Sequence, residues 1–478
     1  MRHFGPLHAA GLALVLTLAG AANTQAQQDI CVDCLKVRVG PPQVVRGPFP
    51  DELDAAFSAI KLPDGRFRGF SANGATYAID GDSLSDMGGK RIAVLEPGPE
   101  GSVSDCGRWL TSTVRAEDRL IGFVHQERSC DYNAGRTDKS MAIATSSDDG
   151  LTWTDLGTVI TGTDSPLPDS ITGEGDCSLV DGHDGFLYAY CLRNSDWQTI
   201  VARAAAADPI DWRKYHEGQW REPGLGGEAT DIGFVGTGAG YLDDLGWVAA
   251  VATDPWFNGL RLSLSADKVS FVDLDEPLAP IDGSDWDRPA STDLSAYVTL
   301  LNPEAGGNSV GNPFTLAYIF VPAGKGFESR YLVQRSVSLT LEDTPQPIQV
   351  GLALTRWIDP ATGAYISSTG PLTGTGAPFV EDATVSYMLT RAPNDLAAVK
   401  FAECKGDGTH VSLAEDGRCQ AGYIQGRTAG WLLLTEQAGT APVYQCRASA
   451  TQQTFVSDQP DCEGLGSVDQ LLGFGLTP

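Results

Sequence analysis

The chain has 478 residues, including 61 acidic and 33 basic side chains, and its formal net charge is −28. A surface with this surplus of acid repels phosphate, so the composition excludes nucleic acid as a partner. The 55 glycines and 28 prolines, together with many short runs of Val, Ile, Thr, Tyr and Phe, predict an all-β chain rich in turns.

The N-terminus has the features of a secretory signal. An apolar stretch from Ala9 to Ala22 follows a basic start, and Thr24-Gln25-Ala26 forms a small-residue cleavage site. No later stretch is long and apolar enough to cross a membrane. We therefore predict that residues 1–26 are a signal peptide and that the mature protein is secreted or periplasmic, with no membrane partner.

All ten cysteines lie beyond this signal. An even number of cysteines in an exported chain argues for disulfide bonds. Two of the pairs are nearly symmetric about a predicted turn, so their side chains would face each other across a hairpin. The spacing predicts these pairs: Cys31–Cys34, Cys106–Cys130, Cys177–Cys191, Cys404–Cys419 and Cys446–Cys462.

Five hairpin-like units follow one another between residues 54 and 321, and each joins two apolar runs through a polar or Gly-rich turn. Their first residues are Asp54, Asp105, Asp176, Asp231 and Asp293. Repeats of this size predict a β-propeller with four strands per blade. We expect five blades, or six if residues 350–390 form a blade of their own. Segments 35–39 and 44–45 are predicted to supply the outer strand that closes the ring.

The second unit, residues 105–127, is the clearest hairpin. Asp105 and Arg108 stand at the start of its first strand, whereas His125 and Glu127 stand at the end of its second strand. Antiparallel pairing places these two strand ends side by side. The four side chains are therefore expected at one mouth of the propeller.

Residues 146–153 have the sequence Ser-Ser-Asp-Asp-Gly-Leu-Thr-Trp. This segment resembles the Asp-box, S-x-D-x-G-x-T-W, of sialidases and many other secreted propellers. Asp148 and Gly150 suit a tight turn between outer strands, and Trp153 suits packing between blades. The resemblance implies a structural role, so we place no catalysis in the motif. A true sialidase is disfavoured because the chain has no Arg-Ile-Pro motif near its start.

The sequence changes character near residue 392. A Cys-containing segment from Val399 to Cys419 is repeated from Val443 to Cys462. We predict a propeller over residues 27–391 and a duplicated, disulfide-stapled β module over residues 392–478. The module is similar to small repeats appended to exported hydrolases, which implies an accessory role in glycan or wall binding. A purely stabilising cap is the alternative.

Carboxylates recur at the strand ends that a propeller gathers around its axis. Glycoside hydrolysis needs one protonated carboxyl as acid and one ionised carboxylate as base or nucleophile. Asp54 and Asp176 are our first catalytic candidates, and Glu174, Glu127 and His125 complete the set. Asp54 lies just before the first inner strand, and its position resembles that of a catalytic Asp in five-bladed glycosidases that cleave arabinan and related furanosides. Strand register decides whether Glu174 or Asp176 faces the axis.

The remaining polar and aromatic strand-end residues are candidates for substrate binding. They are Asn73, Asp105, Arg108, Arg193, Asp231, Asp254, Trp256 and Arg288. The acid-rich mouth is compatible with a structural calcium ion, but no cofactor is required and no metal ligand can be assigned from the sequence. The expected partner is a carbohydrate, and the protein is expected to be a monomer.

Three functions fit this pattern. An exported glycoside hydrolase, acting on a polysaccharide or oligosaccharide such as an arabinan-type furanoside, ranks first. A polysaccharide lyase would instead use His125 with a Tyr as base and acid, and an Arg to neutralise a uronate. A glycan-binding propeller without catalysis would carry several equivalent sites, whereas the hairpin ends here differ from one another.

Overall fold

A computed structural model describes the chain over residues 30–48, 53–116, 118–164, 166–253, 259–283, 286–373, 379–406 and 410–477. The predicted signal peptide lies outside these ranges. Regular structure in them is almost entirely β, which confirms the predicted all-β class. The helices are single 3-10 turns at Val32–Cys34, Tyr132–Ala134, Phe327–Ser329 and Cys462–Gly464. None of the helices in the described ranges has the length and apolarity needed to cross a membrane.

Two short strands precede the first four-stranded sheet, which we call blade I. The leading strands are β1 (Leu35–Val39) and β2 (Gln43–Arg46). Blade I contains β3 (Ser58–Lys61), β4 (Phe67–Asn73), β5 (Ala75–Gly81) and β6 (Ile92–Leu95). Each strand of this sheet pairs antiparallel with the next.

Blades II and III are built in the same way and are larger. Blade II contains β7 (Gly107–Arg115), β8 (Leu120–Asp131), β9 (Arg136–Ser146) and β10 (Thr154–Thr161). Blade III contains β11 (Ile171–Asp181), β12 (Phe186–Arg193), β13 (Gln198–Ala205), β14 (Arg213–His216) and β15 (Gln219–Pro223). The beginning of β11 also pairs in parallel with β9, so the two sheets are joined near their inner ends.

Blades IV and V complete the series. Blade IV contains β16 (Gly238–Leu242), β17 (Trp247–Ala252), β18 (Arg261–Ser265) and β19 (Val272–Asp273). The strands of blade V are β20 (Leu294–Leu301), β22 (Phe314–Val321) and β23 (Tyr331–Leu341), and the two-residue β21 (Ser309–Val310) pairs with β16.

The five inner strands form a closed ring. Each of β3, β7, β11, β16 and β20 contacts the next, and β20 contacts β3. The outer position of blade V is filled from the N-terminus, because β1 and β2 both pair antiparallel with β23. Leu35 lies opposite Leu341, and Val44 lies opposite Val333. The predicted closing role of these N-terminal segments is therefore seen in the structure.

The C-terminal strands continue the sheet of blade V, because β1 also pairs in parallel with β24. They are β24 (Val350–Asp359), β25 (Ala364–Ser368), β26 (Val380–Leu389), β27 (Ala398–Lys405), β28 (Val411–Glu415), β29 (Ile424–Leu433), β30 (Thr440–Ala448), β31 (Thr454–Ser457) and β32 (Gly466–Leu476). The duplication appears as two equivalent units, since β27 pairs with β28 and β29 just as β30 pairs with β31 and β32.

All five predicted disulfides are present, and the described residues include no free cysteine. The bond between Cys106 and Cys130 joins the start of β7 to the end of β8, so it clamps the mouth of the blade II hairpin. The bond between Cys177 and Cys191 lies in the core of blade III. Such bonds are typical of proteins that fold in an oxidising compartment.

Residues 146–153 form the turn between β9 and β10. The Asp148 carboxylate accepts hydrogen bonds from the backbone N–H of Leu151 and Thr152 at 3.1 and 2.9 Å, which closes the turn. The Trp153 indole donates to the carbonyl of Gly150 at 3.0 Å and packs edge-on against Phe70 of blade I. The motif thus connects two blades, as expected for a structural element.

Strands β24 to β26 share a hydrophobic core with the C-terminal units. Leu354 and Val385, which precede residue 392, pack in one cluster with Phe401, Leu432 and Val443. Strand β26 pairs with β29 and β32 through single bridges. The C-terminal sheets therefore begin at β24 and are continuous with the propeller through β1.

Buried arginines reinforce this junction. Arg427 of β29 lies 3.1 Å from Asp293, at the entrance to β20, and donates to Glu403 at 3.0 Å. Arg335 of β23 donates to the carbonyls of Gly40 and Thr369 at 2.9 and 2.7 Å. Removal of one partner from such a network leaves buried charge uncompensated, which is costly.

Truncation after residue 391 tests this integration. The shortened chain keeps Leu354 and Val385 but loses the core that covers them, and it leaves Asp293 without Arg427. We expect insoluble protein or a non-cooperative thermal transition, measured by circular dichroism and calorimetry. A soluble fragment with a sharp transition would show that the propeller folds without the C-terminal units.

Candidate active site

Irregularities in two inner strands turn side chains toward the centre of the ring. The register of β11 shifts between Gly175 and Ser178, and that of β20 shifts between Ala296 and Thr299. Asp176 and Tyr297 occupy these shifts, and both have φ of 51°. A β-bulge in a strand re-aims a side chain that regular pleating would direct elsewhere. This geometry brings Asp176 and Tyr297 to the same site, although they belong to different blades.

His125 connects Asp176 to Glu127. The Asp176 backbone N–H donates to His125 Nδ1 at 2.9 Å, so Nδ1 must carry a lone pair. The proton therefore resides on Nε2, which donates to Glu127 Oε1 at 3.0 Å. The imidazole is buried against Trp109, at a ring distance of 5.4 Å. Both ring nitrogens are thus engaged by protein groups, and His125 fixes the positions of its two acidic neighbours.

Lys139 is the cation beside Asp176 and Glu127. Its Nζ lies 2.9 Å from Asp176 Oδ2 and 3.7 Å from Glu127 Oε1. Burial alone would raise the pKa of Asp176, but the charge of Lys139 and the contact with His125 outweigh it and lower that pKa to about 2. Burial would lower the pKa of Lys139, and the two carboxylates reverse this effect and raise it. Asp176 and Lys139 therefore form an ionised pair at neutral pH.

Glu127 accepts two hydrogen bonds, from His125 and Tyr132, and lies near the charge of Lys139. Burial acts to raise its pKa, whereas His125, Lys139 and the Tyr132 hydroxyl together lower it. Tyr132 lies in the 3-10 turn after β8, and its hydroxyl donates to Glu127 Oε2. Burial and the negative charge of Glu127 raise the pKa of Tyr132, so the phenol stays protonated. Glu127 is thus ionised as well.

Asp54 differs from the other two carboxylates. Its Oδ1 lies 2.9 Å from Arg330 Nη2 and accepts a hydrogen bond from the Tyr297 hydroxyl at 3.2 Å. Burial raises the pKa of Asp54 despite the opposing charge of Arg330, and the nearby charges of Glu127 and Asp176 raise it further. We call Asp54, Glu127 and Asp176 the carboxylate cluster. Within it, the pKa of Asp54 is raised, whereas the pKa values of Glu127 and Asp176 are lowered.

An open cavity borders the cluster between blades III and IV. Asp176 and Tyr297 line one side of it, while Trp197, Phe234 and Val251 contribute apolar surface. An apolar, partly aromatic lining with a few polar groups is typical of a small-molecule or oligosaccharide site. Tyr297 also contacts Asp54, so the cavity leads directly to the carboxylate cluster.

The structure gathers four of the five predicted catalytic residues: Asp54, His125, Glu127 and Asp176. Glu174 does not join them, although it precedes Asp176 by only two positions. It lies 2.7 Å from the fully buried Lys214 of β14 and is paired with that lysine instead of with Lys139. Burial raises the pKa of Glu174 to about 7 despite this lysine. The bulge after Gly175 explains why the two acids separate, since it breaks the alternation between them.

The predicted substrate-binding residues lie mainly in local polar contacts around the ring. Asp105 accepts the backbone N–H of Gly101 and Ser129, and Arg108 approaches Ser104 and Asp155. Arg193 binds Asp196 and lies 3.9 Å from Asp231, whereas Arg288 donates to the carbonyls of Thr292, Pro322 and Lys325. Asn73 ends β4. Asp254 and Trp256 lie outside the described ranges.

Lys139, Tyr132, Tyr297 and Arg330 belong to the site but do not stand at hairpin mouths. Lys139 could have been predicted from the sequence, because antiparallel pairing of the second and third strands of a blade places it opposite Glu127. The orientation of Tyr297 depends on the bulge in β20, and Arg330 lies in a loop 33 residues further along the chain. The periodicity of the sequence predicts neither position. Within the described ranges, no group of three or more His, Cys, Asp or Glu side chains could hold a metal ion. Lys139 and Arg330 are the positively charged side chains beside Asp176 and Asp54.

Gly175 allows His125 to pack against β11. A Cβ atom at this position would lie 2.6 Å from His125 Cε1 and 2.7 Å from Nδ1, closer than atoms can approach. We expect Gly175→Ala to displace the imidazole and to cost about 1–3 kcal/mol of stability, measured by thermal denaturation. Gly311→Ala is the matched control, because its nearest neighbour would be an Asp244 oxygen at 3.7 Å. Equal stability of the two variants would contradict the proposed packing.

No family model and no curated protein matches this sequence. Among solved structures, a family 117 glycoside hydrolase of the marine bacterium Zobellia galactanivorans matches 66% of this chain and 94% of its own, with 11% identity and a TM-score of 0.44. The catalytic domain of a family 62 α-L-arabinofuranosidase of Coprinopsis cinerea matches 64% of this chain and 98% of its own, with 12% identity and a TM-score of 0.40.

A third similar structure is a family 32 β-fructofuranosidase of Bombyx mori, which matches 91% of this chain and 87% of its own at 10% identity and a TM-score of 0.40. All three of these proteins are glycoside hydrolases or catalytic domains of them. TM-scores and sequence identities this low do not indicate the activity of this chain. The function of this chain has to be inferred from its own site.

Proposed function

We propose that the protein is an exported glycoside hydrolase whose reaction takes place at the carboxylate cluster. The observation that carries this proposal is that the surroundings of two acids of the cluster shift their pKa values in opposite directions, upward for Asp54 and downward for Asp176. Such a divergence suits the proton donor and the ionised carboxylate that cleavage of a glycosidic bond requires. The predicted signal peptide and the five disulfides support export.

Side-chain exposure indicates which acids of the cluster a substrate can reach. Asp54 is 27% exposed and Asp176 is 23% exposed, whereas Glu127 and His125 are at most 5% exposed. Only the first two can readily meet a substrate. Asp54 then protonates the glycosidic oxygen as the bond breaks, and Asp176 activates water or attacks the anomeric carbon. Glu127 and His125 are positioning residues, because they hold Asp176 and Lys139 in place.

The same contacts favour hydrolysis over elimination. A lyase would need His125 as a base, but Nδ1 accepts the Asp176 N–H and Nε2 donates to Glu127. Neither nitrogen is left to remove a proton from a sugar. A binding module with one site per blade is also disfavoured, because the cluster draws its acids from the first three blades in one asymmetric arrangement.

The substrate that we propose is an oligosaccharide or polysaccharide, and an arabinan-type furanoside is the sugar class that the position of Asp54 suggests. Trp197 and Phe234 line the cavity beside Asp176. Aromatic rings offer apolar faces on which the C–H groups of a sugar can pack, while the acids bind its hydroxyls. A screen against neutral and acidic polysaccharides tests the reaction type. New reducing ends without absorbance from an unsaturated uronate are expected, whereas rising absorbance would indicate a lyase.

Amide substitutions test the two catalytic carboxyls. We expect Asp54→Asn and Asp176→Asn each to lower turnover by at least about a hundredfold, because each removes a proton-transfer or nucleophilic role. Release of reducing ends measures the effect, and thermal denaturation confirms folding. Asp211→Asn, an exposed acid paired with Arg213, is the control and should retain activity. Full activity in either cluster variant would remove that residue from the mechanism.

Arg330 provides a test of the acid assignment through pH dependence. Its charge lowers the pKa of Asp54, so Arg330→Gln should raise that pKa further. Asp54 must be protonated to act as acid, and activity is lost as pH rises through its pKa. We therefore expect the alkaline limb of kcat/KM to move upward by about one pH unit in Arg330→Gln. Arg213→Gln should leave the limb in place, and a downward shift in Arg330→Gln would exclude Asp54 as the acid.

A further inference from the structure

A second cavity lies on the same mouth of the propeller as the carboxylate cluster. It is an open cavity lined by the end of β8, the start of β9 and the connection from β10 to β11. Its lining includes Arg128, Arg136, Asp138 and Pro166-Leu167-Pro168. We call it the Arg136 cavity.

Strand pairing places this cavity beside the catalytic acids. Glu127 lies opposite Lys139 across β8 and β9, and the next pair outward is Arg128 opposite Asp138. Arg136 begins β9, three residues before Lys139, which corresponds to about 10 Å along a strand. A chain molecule bound at the carboxylate cluster can therefore extend into the Arg136 cavity.

The charge of the cavity is unusual for this protein. Arg128 is paired with Asp138 at 2.7 Å, and Asp138 also accepts the Thr172 hydroxyl. Arg136 donates through Nε to the carbonyl of Ser129 at 3.2 Å. Among the described residues, this bond is the one polar contact of the Arg136 guanidinium. Its Nη1 and Nη2 are therefore available to donate to a ligand. The cavity thus has a surplus positive charge in a molecule whose net charge is −28.

We propose that the Arg136 cavity binds the anionic group, carboxylate or sulfate, of a charged sugar within the substrate. Arg presents a planar fork of N–H donors that matches such groups. The surrounding negative charge of the protein would otherwise repel an acidic glycan, so a local cation on the catalytic face is needed for recognition. The rigid Pro166-Leu167-Pro168 segment, with Leu167 53% exposed, offers an apolar surface beside the fork.

This inference rests on the proposed function for its location, but it can be tested by binding alone. The parent for the test is Asp176→Asn, which should bind without cleaving. Calorimetry compares three probes: an oligogalacturonate, a sulfated galactose oligosaccharide and a neutral oligoarabinoside. We expect one charged probe to bind more tightly than the neutral probe and to weaken with added salt. Which charged probe binds distinguishes a carboxylate ligand from a sulfate ligand.

Substitutions then locate the binding. Adding Arg136→Gln should weaken the charged probe by about tenfold, the effect of losing charge-assisted hydrogen bonds, and leave the neutral probe unchanged. Arg136→Lys should retain part of the affinity. Arg418→Gln, at an exposed arginine of the C-terminal units, is the control. Equal binding of the charged probe with and without Arg136, or no preference for either charged probe, would overturn the inference.

The two proposals fail separately. If the wild-type protein cleaves no polysaccharide but a charged probe binds through Arg136, the hydrolase proposal fails and the binding site stands. If the wild type cleaves a neutral glycan and Arg136→Gln does not alter binding of any probe, the hydrolase stands and the anionic site is excluded.

Discussion

The site depends on one buried cation placed between two carboxylates. Lys139 keeps Asp176 ionised in surroundings that would otherwise favour its neutral form, and it lies close to Glu127 as well. Without that charge, three acids from three blades could not approach each other with two of them ionised. Burial raises the pKa of Asp54 despite the charge of Arg330, and the negative charges of Glu127 and Asp176 raise it further. The contrast between Asp54 and Asp176 thus depends in part on where a single lysine lies.

Much of this arrangement is visible in the sequence. Hairpin repeats predict the propeller, symmetric spacings predict the disulfides, and strand ends point to Asp54, His125, Glu127 and Asp176. The rest depends on departures from regular geometry. A bulge turns Asp176 inward and leaves Glu174 with Lys214, and a similar bulge brings in Tyr297. Arg330 reaches Asp54 from a loop, and loop positions follow from tertiary packing rather than from residue periodicity.

Positive charge is scarce in this chain, and three of its largely buried cations lie where separate parts of the chain meet. Lys139 joins blade II to blade III, Arg330 joins blade V to the entrance of blade I, and Arg427 joins blade V to the C-terminal units. These pairs connect parts of the chain that the excess of acid would otherwise hold apart. The carboxylate cluster is one example of this wider arrangement.

The strand that closes the ring also constrains how the protein reaches its native state. Lys36 pairs with Glu342, 306 residues further along the chain, and β1 bridges the propeller to β24. Contacts this distant in sequence are formed late and slow folding. A chain is synthesised from its N-terminus, so β1 must remain unpaired until β23 and β24 are available. The N-terminal strand is therefore made first and reaches its native partners late, which leaves it time to pair wrongly.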